Sequence, residues 1–84
     1  GKTAVVTGGA SGIGLGIARA LAAEGANIVV ADLDAGAAER AAEELRARGV
    51  RSLAVATDVR RTDSVEALAQ AVDREMGGLD LLFN

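Results

Sequence analysis

Glycines cluster in one segment whose backbone amides could bind a phosphate. Residues 7–14 read Thr-Gly-Gly-Ala-Ser-Gly-Ile-Gly, after a short apolar run and before a helical pattern. The first turn of a helix has unpaired N–H groups and a partial positive charge, so a pyrophosphate can dock there if no side chain blocks it. We expect Gly8 to permit a tight turn, and Gly12 and Gly14 to leave space for the phosphates. Gly16 is expected to let the helix pack close to the sheet.

The spacing of these glycines differs from two common phosphate-binding patterns. The pattern Gly-x-Gly-x-x-Gly fails from Gly12, because Ile17 occupies the position of the third glycine. A P-loop fails because Leu15 stands where a lysine is needed. The remaining alternative is a glycine-rich turn without a ligand. That alternative is less favoured, because ordering several glycines costs backbone entropy and a plain turn would not need so many of them.

An acidic residue stands where it could meet a nucleotide sugar. Asp32 ends the second apolar run, 18 positions after Gly14, close to the spacing at which a carboxylate binds the adenosine ribose in dinucleotide-binding folds. The alternative role for Asp32 is that of a turn residue at a strand end. Asp34 can already cap the next helix, so this alternative is less needed.

Apolar patterning predicts alternating strands and helices. Apolar runs typical of strands buried on both faces occur at 4–6 and 28–31. A third strand is predicted at 53–56 and a fourth at 79–83. Helical spacing predicts three apolar faces, formed by Ile13, Ile17 and Leu21, by Ala37, Ala38, Ala41, Ala42 and Leu45, and by Val65, Leu68, Val72 and Met76. Gly25, Gly49 and Gly77 end these helices, and Asp63 with Glu66 resembles a capping box. The alternation predicts an α/β fold, a doubly wound parallel sheet with strand order 3-2-1-4.

Composition excludes several kinds of site. The sequence contains no Cys, His, Tyr or Trp, so thiolate or imidazole metal sites and Ser-His-Asp or Cys-His catalysis are excluded. The net charge of −3 comes without a basic stripe, which argues against binding to nucleic acid. No apolar run reaches the roughly 20 residues of a membrane helix. We expect a cytoplasmic protein without a metal site.

Four motifs in order resemble those of the short-chain dehydrogenase/reductase family. They are Thr-Gly-x-x-x-Gly-x-Gly at 7–14, Asp32 after the second strand, Asp58-Val59 after the third, and the segment 79–84. The last is similar to the start of the family's Asn-Asn-Ala-Gly motif, cut after its first Asn. The resemblance covers the whole chain. It implies that residues 1–84 are the amino-terminal part of an NAD(P)-binding Rossmann domain, truncated after the fourth strand.

The resemblance also implies individual roles around a dinucleotide. Ser11 and Ile13 would contact the phosphate–ribose region, Ile13 through its backbone N–H. Asp58 would accept a hydrogen bond from the adenine amino group, although a structural role in the following turn is an equally weighted alternative. The expected cofactor-binding residues are Gly8, Ser11, Gly12, Ile13, Gly14, Asp32, Leu33, Asp58, Val59 and Asn84, and none of them is catalytic.

The choice between NAD and NADP depends on charge. A carboxylate at Asp32 can accept hydrogen bonds from both ribose hydroxyls and would repel a 2′-phosphate. Family members that prefer NADP often have a basic residue just before the second motif glycine or just after the second strand. This sequence has Ser11 and Leu33 at those positions. NAD is therefore expected, and NADP is the less favoured cofactor.

The activity implied by the resemblance is hydride transfer between a nicotinamide and a small alcohol or carbonyl substrate, in a full-length protein that forms homo-oligomers. The family uses a Tyr-x-x-x-Lys pair, whereas this sequence has no Tyr and a single lysine, Lys2. We therefore expect the 84 residues alone to be inactive. One alternative is a non-catalytic dinucleotide-binding module or sensor. Another is a methyltransferase, which the glycine spacing disfavours.

Overall fold

The strands form one parallel sheet with helices on both faces. The computed structural model describes residues 2–83. The elements in chain order are β1 Thr3–Thr7, α1 Gly12–Ala23, β2 Asn27–Asp32, α2 Ala35–Ala47, β3 Ser52–Ala56, α3 Thr62–Met76 and β4 Leu81–Phe83. All strand pairs are parallel, and the strands lie in the order β3-β2-β1-β4. The predicted fold class and strand order are confirmed.

Alternate residues of the two central strands contribute to two apolar cores. Val6 and Val30 face α1 and α2 and pack with small side chains of those helices. Val5 and Val29 point to the opposite face of the sheet and pack against α3. Because both faces of these two central strands are covered, they support the loops at the carboxyl edge of the sheet.

The ends of the helices mostly follow the sequence pattern. Gly25, Gly49 and Gly77 follow the three helices with φ of +88°, +95° and +76°, the left-handed conformation that ends helices and favours glycine. Asp34 caps α2, because its side chain accepts a hydrogen bond from the Ala37 N–H at 3.0 Å. These features are confirmed.

The capping box predicted for Asp63 and Glu66 is wrong. Helix α3 begins at Thr62, after an extended Arg61 that provides no side-chain cap. Asp63 therefore lies inside the first turn, where its carboxylate accepts the Ser64 N–H at 2.9 Å and pairs with the Arg61 guanidinium at 2.9 Å. Its charge still complements the positive end of the helix.

Strand β4 is shorter than predicted and is fastened to β1 at both ends. The Asp80 N–H donates to the Thr3 carbonyl, and the Asp80 carboxylate accepts the Thr3 N–H, both at 2.9 Å. The Thr7 hydroxyl donates to the Phe83 carbonyl at 3.0 Å. Asp80 is thus a structural residue that precedes the strand, and Leu79 also lies before it.

Candidate functional site

Residues 8–14, which we call the glycine turn, comprise the connection after β1 and the first turn of α1, at the carboxyl edge of the sheet. Gly8 and Gly12 have φ of +66° and +57°, a region that L side chains rarely adopt. The Gly8 N–H donates to the Ala31 carbonyl at 2.8 Å, so the turn starts against the end of β2. The tight turn expected at Gly8 is confirmed.

Gly14, rather than Gly16, is the glycine of α1 that a neighbouring backbone approaches closely. A Cβ on Gly14 would lie 2.1 Å from the Gly8 carbonyl oxygen, whereas a Cβ on Gly16 would meet nothing within 4 Å. A Cβ on Gly9 would lie 2.8 Å from the Val6 carbonyl oxygen. The expected packing role of Gly16 is therefore wrong. The space beside Gly14 is occupied by backbone of the same loop, and the expected contribution of Gly14 to phosphate binding stays a prediction.

The start of α1 has no side chain that compensates its positive end. Ser11 is the N-cap residue, with extended backbone and no side-chain cap hydrogen bond, and the first turn contains no acidic residue. Ile13 is 84% exposed, so its expected place on the apolar face of α1 is wrong; the buried residues of that helix are Ala18 and Ala22. The amides of the first turn and the helix dipole are available to an anion.

Asp32, at the end of β2, joins the glycine turn to the β2–α2 connection. Its Oδ2 accepts the Ala10 N–H at 3.2 Å, and its Oδ1 accepts the Asp34 N–H at 3.0 Å. Asp32 is therefore a turn residue, as one interpretation of the sequence held. A carboxylate has about four acceptor positions, so each oxygen can accept a further hydrogen bond from a ligand.

A cleft of about 470 Å³ opens at the carboxyl ends of β1, β2 and β3. Its volume lies within the range of ligand pockets. We call it the strand-end cleft, and its lining residues are Thr7, Gly8, Ala31, Asp32, Leu33, Thr57, Asp58, Val59 and Arg60. Five residues predicted from sequence come together there, namely Gly8, Asp32, Leu33, Asp58 and Val59.

The other predicted residues lie elsewhere. Ser11, Gly12, Ile13 and Gly14 are at the start of α1 and do not line the strand-end cleft. The hydrogen bond between Ala10 and Asp32 links the helix start to the cleft. Asn84 lies outside the described residues.

Asp58 fixes the turn that follows β3 and is paired with a cation. Its backbone N–H donates to the Ser64 hydroxyl at 2.8 Å, and its carboxylate accepts the Arg60 N–H at 3.0 Å. The Arg60 guanidinium holds the pKa of the Asp58 carboxyl below its ordinary value through hydrogen bonds. The structural role considered for Asp58 is therefore observed. Sequence reasoning missed Arg60 as a cleft residue. Its signal in the sequence is a cation two positions after Asp58, in the turn that follows β3.

Residues 2–83 contain neither a membrane-spanning helix nor a cluster of metal ligands. No helix in that range is both long and apolar enough to cross a bilayer. The same residues contain no group of three or more His, Cys, Asp and Glu side chains that could hold a metal ion.

A match to one protein family shows which proteins this chain is related to. The family model described as short chain dehydrogenase matches residues 2–84. The chain belongs to the short-chain dehydrogenase family. Galactitol 2-dehydrogenase of Agrobacterium fabrum is 46% identical over 83 residues, which are 99% of this chain and 31% of that enzyme. The 2,3-dihydro-2,3-dihydroxybenzoate dehydrogenase of Bacillus subtilis is 38% identical over 84 residues, 100% of this chain and 32% of that enzyme.

Solved structures of short-chain dehydrogenases share the fold. L-sorbose reductase from Gluconobacter frateurii, complexed with NADPH and L-sorbose, has a TM-score of 0.93 and 44% identity, over 98% of this chain and 32% of that one. A short-chain dehydrogenase/reductase from Burkholderia phymatum in complex with NAD has a TM-score of 0.93 and 43% identity, over 98% and 29%. This short-chain dehydrogenase sequence therefore spans about a third of the length of these relatives.

Proposed function

We propose that this chain binds NAD along the glycine turn and the strand-end cleft, as the cofactor-binding part of an oxidoreductase. The observation that supports this best is the hydrogen bond from the Ala10 N–H to Asp32 Oδ2 at 3.2 Å. It fixes a carboxylate beside the loop that opens α1. A diphosphate at that helix start would leave its adjoining ribose next to Asp32.

The two ends of the site suit the two chemical parts of an adenosine diphosphate. The uncapped first turn of α1, with Gly12 and Ile13, offers backbone N–H groups to the phosphates. Leu33 and Val59 line the cleft and are 66% and 61% exposed. These two apolar side chains would cover the faces of an adenine ring, and burying them against it is favourable.

The charges of the cleft favour NAD over NADP. The charged residues that line it are Asp32, Asp58 and Arg60, and the last two form an ion pair at 3.0 Å. Asp32 is the carboxylate left without a cation. At about 4 Å and an effective dielectric constant near 20, its repulsion of a 2′-phosphate is on the order of 4 kcal/mol per charge pair, and a third of that gives roughly tenfold discrimination.

The reaction of the whole protein is also a proposal. NAD, when bound, would accept or supply a hydride, and the substrate would be a small alcohol or carbonyl compound. No tyrosine occurs in these 84 residues, so the acid/base group of the reaction would lie outside them, and the segment alone would be inactive. We propose that the full polypeptide is a cytoplasmic homo-oligomer.

Titration calorimetry of the full polypeptide that carries this sequence tests the cofactor assignment. Wild type is expected to bind NADH about tenfold more tightly than NADPH. Asp32→Ala should weaken NADH binding and narrow this gap, because the ribose loses its acceptor and the phosphate loses its repulsion. Asp32→Asn keeps an acceptor without the charge, so it should mainly improve NADPH binding.

Glu43→Gln is the matched control, because it removes one negative charge from the exposed side of α2, away from the cleft. Its NADH/NADPH ratio should equal that of wild type. An unchanged ratio in Asp32→Ala would refute the ribose role of Asp32. Absence of binding of either dinucleotide to wild type would refute the proposed function as a whole.

A further inference from the structure

Arg60 holds the Asp58 carboxylate with three hydrogen bonds. Its Nε donates to Oδ1 at 3.0 Å and its Nη2 donates to Oδ2 at 3.1 Å. Its backbone N–H also donates to Oδ1, at 3.0 Å. A two-pronged contact of this kind fixes the plane of a carboxylate as well as its charge state.

The two members of this pair differ in exposure. The Asp58 side chain is 20% exposed, whereas that of Arg60 is 79% exposed. Both line the strand-end cleft. Asp58 is thus the inner group, and the Arg60 guanidinium binds it from the solvent side.

One acceptor position of the Asp58 carboxylate is not used by Arg60. Each carboxylate oxygen can accept about two hydrogen bonds. Oδ1 accepts two from Arg60 and Oδ2 accepts one. One acceptor position on Oδ2 therefore remains, at an orientation that Arg60 sets, and it suits a single N–H donor.

We propose that Arg60 is a positioning residue that aims Asp58 Oδ2 at the exocyclic amino group of the bound adenine, and thereby selects a 6-amino purine over a 6-oxo purine. This inference rests on the proposed binding of a dinucleotide. A 6-oxo purine presents an acceptor to this oxygen, and two acceptors repel each other. Without the Arg60 guanidinium, only the backbone N–H of residue 60 still holds Oδ1. The carboxylate can then turn about that single hydrogen bond, so the other purine can be accommodated.

Calorimetric titration of the full polypeptide with NADH and with reduced nicotinamide hypoxanthine dinucleotide tests the inference. Wild type should prefer NADH by about tenfold, the effect of one hydrogen bond to a charged group. Arg60→Ala should reduce this preference to about twofold or less. Arg60→Lys keeps the charge but cannot make the two-pronged contact, so its preference should fall as in Arg60→Ala.

Arg61→Ala is the matched control. It removes the same charge one residue further along, from an arginine that pairs with Asp63 at 2.9 Å and does not line the strand-end cleft. Its preference should stay that of wild type. If Arg60 had only a structural role, Arg60→Ala would weaken the binding of both dinucleotides equally. The ratio of the affinities for NADH and for the hypoxanthine dinucleotide would then stay unchanged.

The outcomes separate this inference from the proposed function. If wild type prefers NADH and Arg60→Ala keeps the ratio, Arg60 does not position Asp58, while dinucleotide binding stands. If Arg60→Lys retains the wild-type preference for NADH over the hypoxanthine dinucleotide, the charge of residue 60 is sufficient for that preference, and the positioning role is refuted. A change in the NADPH/NADH ratio alone would assign Arg60 to the ribose phosphate and overturn the inference. If wild type binds no dinucleotide, both proposals fail.

Discussion

Replacing Gly14 with alanine should destabilise the fold, whereas the same change two residues later should stabilise it. The new Cβ at position 14 would lie 2.1 Å from the Gly8 carbonyl oxygen, where ordinary contact begins at 3.4 Å. The two backbones must therefore separate by about 1.3 Å. A backbone shift of this size costs about 3 kcal/mol, the upper end of the usual cost of overpacking. The better helix propensity of alanine returns about 1 kcal/mol, so the net loss is about 2 kcal/mol.

Gly16→Ala provides the matched comparison on the same helix. Nothing lies within 4 Å of its added Cβ, so only the propensity gain of about 0.5–1 kcal/mol remains. Urea denaturation of the full polypeptide should show the two variants separated by about 3 kcal/mol, on opposite sides of wild type. If both variants unfold at the same urea concentration, the close approach of Gly14 to the Gly8 carbonyl group does not determine the stability of the fold.

Two further predictions concern carboxylates. Asp34→Ala should cost about 1 kcal/mol, because the Ala37 N–H loses its cap, whereas Asp34→Ser should keep most of the stability; equal urea midpoints for the two variants would contradict this. Arg60 lowers the pKa of the Asp58 carboxyl in the folded protein. The stabilisation from this pair is therefore fully present above the pKa that Asp58 has in the unfolded chain, and it is lost as pH falls through the pKa that Asp58 has in the folded protein. The stability difference between wild type and Arg60→Ala should therefore shrink in acid, and a constant difference in urea denaturation from about pH 7 to about pH 2 would disprove the coupling.

The fold was predictable because its signals are local and its handedness is fixed. Unbroken apolar runs such as 28–31 predict buried strands, and right-handed crossovers between them leave few possible orders. Gly25 and Asp34 are likewise local signals, since a helix end is determined by its own few residues. The strand order and these caps all agree with the structure.

Parts of the site could not be predicted because they depend on which atoms the fold places opposite each other. Gly14 and Gly16 lie two positions apart on α1, yet only Gly14 faces the carbonyl group of Gly8. A cation two positions after Asp58 does not by itself predict that Arg60 lines the cleft, because its position depends on how the turn after β3 folds back. Ile13 fits the helical period, but it lies in the first turn of α1 and is exposed.

The fastening of β4 to β1 has a consequence for biosynthesis. Thr3 and Asp80 are 77 positions apart, and a ribosome adding about 5–20 residues per second needs roughly 4–15 s to make that distance. During this interval β1, whose Val5 and Val6 belong to the cores, has an open edge on the side reserved for β4. The nascent chain therefore passes through a stage in which its first strand is a target for chaperones or for mispairing with other chains.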